Sequence, residues 1–442
     1  MSIYDKSSLV LIPSGTKTSK VYSQKPTNGD GDFDFTRSTA ATRVNADGNI
    51  EKETQNLLLQ SNSFDNWTNY LTTETGGQAD RSGGNTAWLL EKTGGGASIY
   101  RTPSPSGVAT FSAYVKAGTL NWVRLDYTGG GSKGYFDLQN GVVGSVIGSP
   151  IDTAIEDAGN GWYRCSVTTT STGSGVSIVP AENDGSVGGT SGSIYIQDAQ
   201  VEQGLVARDY IETTTTALYG GITDNVPRLD YTDSSCPALL LEPQRTNLVP
   251  QSEYFASSWT NNEGTTLTAN SIVSPEGVQN AFKLVPDATN AHHRIFTLGS
   301  VTAGNPYTYS VFAKKGEYRY MLLRENGLAS NSQDNIGVDL ETGTITYESF
   351  RYTDVSIEDY GNGWYRISAS ANASLSSYTI GVRFQNYETT DNGISTFTGN
   401  GTSGGYVYGF QAEAGSYATS YIPTYGTSVT RNADIFKVNN IG

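Results

Sequence analysis

The chain has 442 residues and a formal net charge of −15, from 28 Lys plus Arg against 43 Asp plus Glu. An acidic balance repels phosphate backbones, which argues against nucleic-acid binding. No stretch approaches the roughly 18–20 apolar residues of a membrane helix, and two cysteines are too few for a disulfide framework or a Cys-rich zinc site. With 51 Gly, 28 Tyr and 11% aromatic residues, the composition suits short strands joined by many turns.

Taken in chain order, the first 34 residues carry no strong domain pattern. Leu9-Val10-Leu11-Ile12 is too short for the apolar core of a signal peptide, and Pro13 ends it. It suits docking onto a partner strand or groove. Asp30, Asp32 and Asp34 alternate with Gly and Phe. The sixth position of a calcium loop begun at Asp30 is Phe35 rather than Gly, and the twelfth is Ala41 rather than Glu, which excludes an EF-hand. A polar turn and a looser structural calcium site remain the readings there; no other cofactor is implied.

From residue 56 onward the chain reads as strands, and then it reads as the same strands again. Ile155-Glu156-Asp157-Ala158-Gly159-Asn160-Gly161-Trp162-Tyr163-Arg164-Cys165-Ser166 returns as Ile357-Glu358-Asp359-Tyr360-Gly361-Asn362-Gly363-Trp364-Tyr365-Arg366-Ile367-Ser368. Asn56-Leu57 matches Asn247-Leu248, Phe64 and Trp67 match Phe255 and Trp259, and Phe111–Gly118 matches Tyr309–Gly316. Gln200-Val201-Glu202 matches Gln411-Ala412-Glu413, and Tyr210-Ile211 matches Tyr421-Ile422. Ordered matches of this kind mean a duplicated module. Within it, Tyr163, Cys165 and Val167 share one strand face, and Trp162, Arg164 and Ser166 the other. Cys165 stands where Ile367 stands and reads as a small core hydrophobe. Gly-Asn-Gly before each Trp, and Asn140-Gly141, are hairpin turn chemistry.

The predicted fold is therefore all-β: two tandem β-sandwiches of jelly-roll type with a small connector. The expected bounds are 1–51 for an N-terminal attachment segment and the first part of the connector, and 52–216 for the first sandwich. They continue with 217–246 for the rest of the connector, 247–430 for the second sandwich and 431–442 for a C-terminal tail. Leu239-Leu240-Leu241 are expected to be buried in the connector, with Cys236 packed beside them.

Three phrases carry a family resemblance: Phe35-Thr36-Arg37-Ser38-Thr39-Ala40-Ala41-Thr42-Arg43-Val44-Asn45, then Val226-Pro227-Arg228-Leu229-Asp230-Tyr231 with Cys236–Leu248, then Ser420-Tyr421-Ile422-Pro423-Thr424 with Val429–Asp434. They resemble the phrases that bracket a carbohydrate-binding-module-like sandwich in bacteriophage tail- and head-fibre virion proteins. The resemblance implies virion localisation and a jelly-roll fold, and supplies no ligand and no catalytic residue. In that family the first two phrases follow each other closely. Here a whole sandwich separates them, which reads as insertion of a module into a surface loop. The two parts of the connector should then lie side by side.

The sites are weighed on chemistry. Glycan contact would use aromatic rings with polar neighbours on one sheet face. The candidates are Trp122 with Arg124 and Asp126, and Tyr318, Arg319 and Tyr320 with Arg324 nearby; packing in the core or at a subunit interface competes. Trp162, Tyr163 and Arg164, with Trp364, Tyr365 and Arg366, are read as the structural repeat motif. Glu156-Asp157 and Glu358-Asp359 read as turn caps, because a glycosidase needs carboxyls about 5–10 Å apart across a cleft. Glu182-Asn183-Asp184 has Val187 where the jelly-roll glycanase pattern requires Glu. His292 and His293, adjacent in a strand, would face opposite sides. No metal site and no catalytic residue is expected.

The expected function is a non-enzymatic bacteriophage virion subunit: head fibre, tail fibre, collar or capsid decoration. Its partners would be other virion proteins and copies of itself, as a trimer if it is a fibre, with a host cell-surface glycan as an additional contact. A glycan-binding host-adsorption protein is the alternative, and a polysaccharide-degrading enzyme the weaker one. The net charge argues for a neutral or cationic glycan.

Overall fold

The computed structural model describes residues 2–7, 10–25, 33–128, 131–171, 175–232, 234–256, 259–261, 263–327, 333–391, 393 and 395–438. The regular elements of the described chain are almost all strands, and the chain falls into two compact units. One unit is continuous, Thr54–Gly220. The other is discontinuous, Met1–Glu53 with Gly221–Gly442.

The continuous unit is a sandwich of two six-stranded antiparallel sheets. One sheet runs, edge to edge, Val142–Ile147, Ser132–Asp137, Trp122–Tyr127, Val176–Ala181, Ser98–Arg101 and Thr68–Tyr70. The other runs Asp152–Gly159, Trp162–Ser171, Gly107–Ala117, Ser193–Gln203, Ala87–Lys92 and Thr72–Gln78. The second copy repeats both orders strand for strand. Its sheets are Thr344–Glu348, Gln333–Asp339, Tyr320–Asn326, Ser377–Gln385, Ile295–Ser300 and Thr260–Asn261, and Asp354–Asp359, Trp364–Asn372, Pro306–Lys315, Gly405–Ala414, Ala281–Pro286 and Thr265–Ile272.

Alternation along each strand makes the core. Cys165 and Val167 face Ala113 and Phe111 in register, and all four are buried, joined by Val123, Leu125, Phe136 and Ile178 from the facing sheet. Burial pushes the Cys165 thiol well above its ordinary range. The turns before the repeated Trp are built alike: φ is +79°, +54° and +77° at Gly159, Asn160 and Gly161, and +75°, +51° and +77° at Gly361, Asn362 and Gly363.

The chain termini depart from expectation. Residues 431–442 contain a strand, Ile435–Val438, which pairs with Phe33–Thr36 in a sheet completed by Val10–Lys17 and Lys20–Lys25. Val21, Phe33 and Phe35, with Leu11, Leu239 and Phe436 against them, form its apolar cluster. Ile435–Val438 is thus part of a sheet, and Val10–Lys17 with Lys20–Lys25 is its hairpin. Leu9 lies outside the described residues. Cys236 is exposed, and of the three leucines Leu239 packs against that cluster while Leu241 is 44% exposed. The strand Ala238–Leu240 turns Leu239 to the cluster and ends before Leu241, so the pleat does not hold Leu241 on that side.

The two parts of the connector meet inside the discontinuous unit. Ala41 N donates to Ile222 O (3.0 Å), Asn225 N to Arg37 O (2.8 Å) and Tyr231 N to Val44 O (3.1 Å). At their centre lies a buried ion network. Arg37 reaches Asp434 (3.0 Å), Arg228 reaches Asp434 and Glu242 (2.7 Å to Glu242), and Arg431 reaches Glu242 (2.7 Å). The three guanidinium groups are at most 1% exposed. Backbone and hydroxyl oxygens complete them: Thr39 O and Thr223 O for Arg37, Thr42 O and Ser420 Oγ for Arg228, and Pro243 O and Ser420 Oγ for Arg431. Burying so much charge is tolerable only because almost every polar atom is paired.

Candidate functional site

In the first sandwich Val123, Leu125 and Tyr127 face the core, which turns Trp122, Arg124 and Asp126 to the outer side of the sheet. Register then decides their neighbours. Arg124 lies between Tyr135 and Val179, Asp126 between Lys133 and Ser177, and Trp122 between Asp137 and Ala181. Ser177 continues the row to Tyr100 and Thr68, and Tyr70 stands opposite Ser98.

Arg124 clamps Asp126 with two bonds, Nε to Oδ1 (2.6 Å) and Nη2 to Oδ2 (2.8 Å). It also donates to the Tyr135 hydroxyl (3.3 Å), with its carbon 5.7 Å from that ring's centre. Burial opposes the Arg124 charge, but Asp126 and Tyr135 more than offset it and raise the guanidinium pKa. Charge on this patch is largely matched from within. Trp122 is half-buried: a side chain at Gly144 would come within 2.5 Å of its ring, and Asp184 beside it takes the Ser145 N–H (2.6 Å). The rings open to solvent on this face are Tyr100, 40% exposed, and Tyr70, 56% exposed. Neither was singled out from sequence. Tyr100 alternates with Ile99 as a strand residue should, but nothing local places it in a row with Asp126.

In the second sandwich Tyr320 takes the place of Trp122, since it stands opposite Asp339 as Trp122 stands opposite Asp137. Arg319 bonds Asp339 through Nε (2.8 Å) and lies 5.1 Å over the Tyr320 ring. Tyr318 precedes the strand and packs edge-on against Phe397, 6.2 Å between ring centres. Arg324 lies further along the strand in a row of different character: Phe296, Gly381, Arg324 and Asn335 stand side by side on four strands. Arg324 Nη1 donates to Asn335 Oδ1 (2.7 Å). Burial, with the charges of Arg294 and Arg383 close by, lowers the Arg324 guanidinium to about 10. Arg383 bonds Gln385 (2.8 Å), His292 O (3.1 Å) and Ser395 O (3.0 Å); Arg294 pairs with Glu263 (3.1 Å).

The repeat motif is structural in both copies. Trp162 and Trp364 are buried. Tyr163 covers Gly141, and Tyr365 covers Gly343; an added Cβ would lie 2.7 and 2.5 Å from the respective rings. Arg164 donates to Ser112 Oγ (3.2 Å) and to Arg208 O, and Arg366 to the equivalent Ser310 Oγ (3.1 Å) and Thr419 O (2.8 Å). These side chains hold the chain after the last sandwich strand.

Asp157 and Asp359 each accept the N–H two residues on, Gly159 and Gly361, both at 2.8 Å. Glu182 pairs with Lys92. A cleft of about 550 Å³ in the discontinuous unit is lined by Arg43, Asp230, Glu242, Glu358, Asp359 and Arg366. Three of its carboxylates are engaged in structure: Glu242 in the ion network, Asp359 in its turn, and Asp230, which accepts the Val44 N–H (2.9 Å). His292 and His293 are not in a strand; His293 is buried, its ring nitrogens 2.8 Å from Gly264 O and 2.9 Å from Phe397 O. Among the described residues no group of three or more His, Cys, Asp or Glu is placed to hold a metal ion; Asp30 and Asp32 lie outside them.

No protein-family model matches the chain, and no curated protein matches it. Among solved structures it is similar to the tandem CBM22-1–CBM22-2 domain of Xyn10C from Paenibacillus barcinonensis, at 11% identity and a TM-score of 0.23, over 81% of this chain and 96% of that one. It is also similar to the CBM22-1–GH10 modules of a Clostridium thermocellum endo-1,4-beta-D-xylanase 10B, at 14% identity and a TM-score of 0.23, over 41% of this chain and 30% of that one.

Proposed function

We propose that this chain is a non-catalytic bacteriophage virion subunit, an appendage or decoration protein that displays two carbohydrate-binding-like sandwiches at the particle surface. One observation carries the reading. The three phrases that resemble virion fibre proteins supply the side chains of a single buried network: Arg37 from the first, Arg228 and Glu242 from the second, Ser420, Arg431 and Asp434 from the third. Arg37 and Asp434 lie 397 residues apart in sequence. Matching words that also close one tertiary contact support a shared scaffold. Gold-conjugated antibody against the chain should label intact particles densely. Chain found wholly in the soluble lysate, with unlabelled particles, overturns the reading. Sedimentation of the purified protein should show a symmetric oligomer, a trimer if it forms a fibre, since repeated weak sites gain avidity by linkage.

A second reading, host-glycan contact, is favoured by the outer face of the first sandwich. Its exposed Tyr70 and Tyr100 and half-buried Trp122 offer ring faces for sugar C–H surfaces, beside a charge pair that is matched internally. The full-length oligomer should bind neutral glycans on an array. Tyr100→Ala and Trp122→Ala forms that remain folded should each lose several-fold in affinity. Binding unchanged in both would leave a purely structural protein.

A further inference from the structure

The duplication allows the two sandwiches to be compared position by position, and at one end a plug present in the first copy is missing from the second. By the register of the repeat, Thr54, Gln55, Ala109 and Gln203 in the first copy stand where Arg245, Thr246, Tyr307 and Ala414 stand in the second. In the first copy the Gln55 amide donates to Gln203 Oε1 (3.2 Å), and Gln203 donates onward to Ser106 O (2.9 Å). In the second copy neither glutamine is present, and a cleft of about 510 Å³ lies there. That volume falls within the roughly 300–1,000 Å³ of small-molecule sites. Arg245, Leu248, Ser300, Thr302, Tyr307 and Ala414 line it.

We propose that this cleft is a second saccharide site, one that takes a neutral sugar unit, an inference that rests on the glycan-contact reading. Three observations support it. First, its polar groups are open. Among the described residues the side chains of Gln244, Ser300 and Thr302 make no hydrogen bond, and Arg245 engages only Nη1, on Gln244 O (3.0 Å). Second, Arg245 is fixed in place and its charge is faced. The guanidinium lies 5.4 Å from the centre of the Tyr417 ring and its Nε 3.7 Å from Glu413. Glycine at 415 gives it room, since a Cβ there would come 2.8 Å from Nη2. Third, the cleft has an apolar side made by Leu248, Val301 and Ala414. Tyr307 beneath it is buried, and its hydroxyl accepts the Thr302 N–H (2.9 Å), which ties the loop after Ser300 to the next strand.

The chemistry follows from these parts. A guanidinium that already faces a carboxylate adds little net charge to the cleft, so an anion gains little there. Its Nη2 N–H groups still donate, and a hydrogen bond from a charged donor to a hydroxyl oxygen is stronger than one between neutral groups. Arg245, Ser300 and Thr302 take the hydroxyls of the sugar, and the apolar side takes its C–H face. A few placed polar groups on an apolar wall are what orient a ligand in a small-molecule site. Arg245 is positioned before the ligand arrives, so little side-chain freedom is lost on binding. In the first sandwich Gln55 and Gln203 occupy the same place and bond each other. Two copies with one strand order thus differ in which part of each is open to a saccharide.

The test uses the full-length protein and neutral hexasaccharides of glucose, mannose and galactose. At least one should bind and protect the amides of residues 244–248 and 300–307 from hydrogen exchange. Ala414→Gln, which restores the residue of the first sandwich, should remove that protection and lower the affinity of the cleft about tenfold, the worth of a hydrogen bond to a charged group. Ser300→Ala should lower it several-fold. Melting temperature is checked for each variant, and Ser300→Ala, on an exposed side chain, serves if Ala414→Gln does not fold. The same hexasaccharide with its primary alcohols oxidised to carboxylates should bind no more tightly, and raising salt from 50 to 200 mM should leave the affinity of the neutral form unchanged. Binding that protects only residues 98–101 of the first sandwich, or cleft protection that survives both Ala414→Gln and Ser300→Ala, overturns the site and leaves the glycan reading standing. Tighter binding of the oxidised form overturns the neutral assignment. Binding of no hexasaccharide overturns both the site and the glycan reading.

Discussion

Asp434 receives two arginines and also accepts the Glu242 N–H at 2.9 Å, all at zero exposure of its side chain. Removing its charge would leave Arg37 and Arg228 buried without their common partner. Asp434→Asn should therefore cost the discontinuous unit about 3 kcal/mol or more, and leave the melting of residues 54–220 unchanged; a differential scan resolving both transitions checks this. Acid should act on the same network. Burial alone would raise Glu242, but Arg431, Arg228 and the Ser420 donors hold it below its ordinary value. A depressed carboxylate contributes stability above its unfolded value, and that contribution disappears as pH falls through the folded value. The destabilisation caused by Glu242→Gln should then be full at pH 6 and shrink as pH falls below about 4.3. Glu53 behaves oppositely. Burial, then the Asp224 charge, raises it from 4.5 to about 7. Its folded form holds the proton longer than the unfolded form, so it weakens the fold as pH rises from 4.5 to 7. Glu53→Gln should gain on the wild type across that window and level off above it, as followed by Tm against pH.

At the level of elements, the hairpin glycines separate two costs that usually come together. Gly343 and Gly361 both have positive φ, +65° and +75°. A Cβ on Gly361 meets nothing within 4 Å, whereas one on Gly343 would strike the Tyr365 ring. Gly361→Ala should cost about 1 kcal/mol for backbone strain alone. Gly343→Ala should cost more, because the ring must also move, and Gly141→Ala should do the same to the first sandwich through Tyr163. Equal losses for Gly343→Ala and Gly361→Ala in denaturant titrations would mean that the Tyr cover contributes nothing. The glycines and asparagines of these turns were legible because positive φ is a local property, and Gly-Asn-Gly permits it whatever the rest of the chain does.

For the molecule as a whole, Thr54 and Gly220 are register partners in a short antiparallel pair, Thr54–Asn56 with Leu218–Gly220. The ends of the continuous unit are thus brought together within that unit. Joining residue 53 to residue 221 should yield a folded protein that keeps the ion network, and residues 54–220 expressed alone should fold as well. Hydrogen exchange checks both: a spliced chain that leaves Phe33–Thr36 and Ile435–Val438 unprotected would show that the inserted sandwich is needed for the sheet they share. The sequence by itself determined the duplication, the all-β class, the turns and the face on which Cys165, Val167, Trp122 and Arg124 each lie. These depend on period and on local backbone preference, which a single strand carries within itself. Only tertiary structure decided that the C-terminal residues form a strand, that Cys236 is exposed, that Arg37 meets Asp434, and that Asp126 and Arg324 hold the same place in two sheets with opposite charge. Each of these is a matter of which strand lies beside which, and in what register. That is set by pairings closed across tens to hundreds of residues, whose partners no local pattern names.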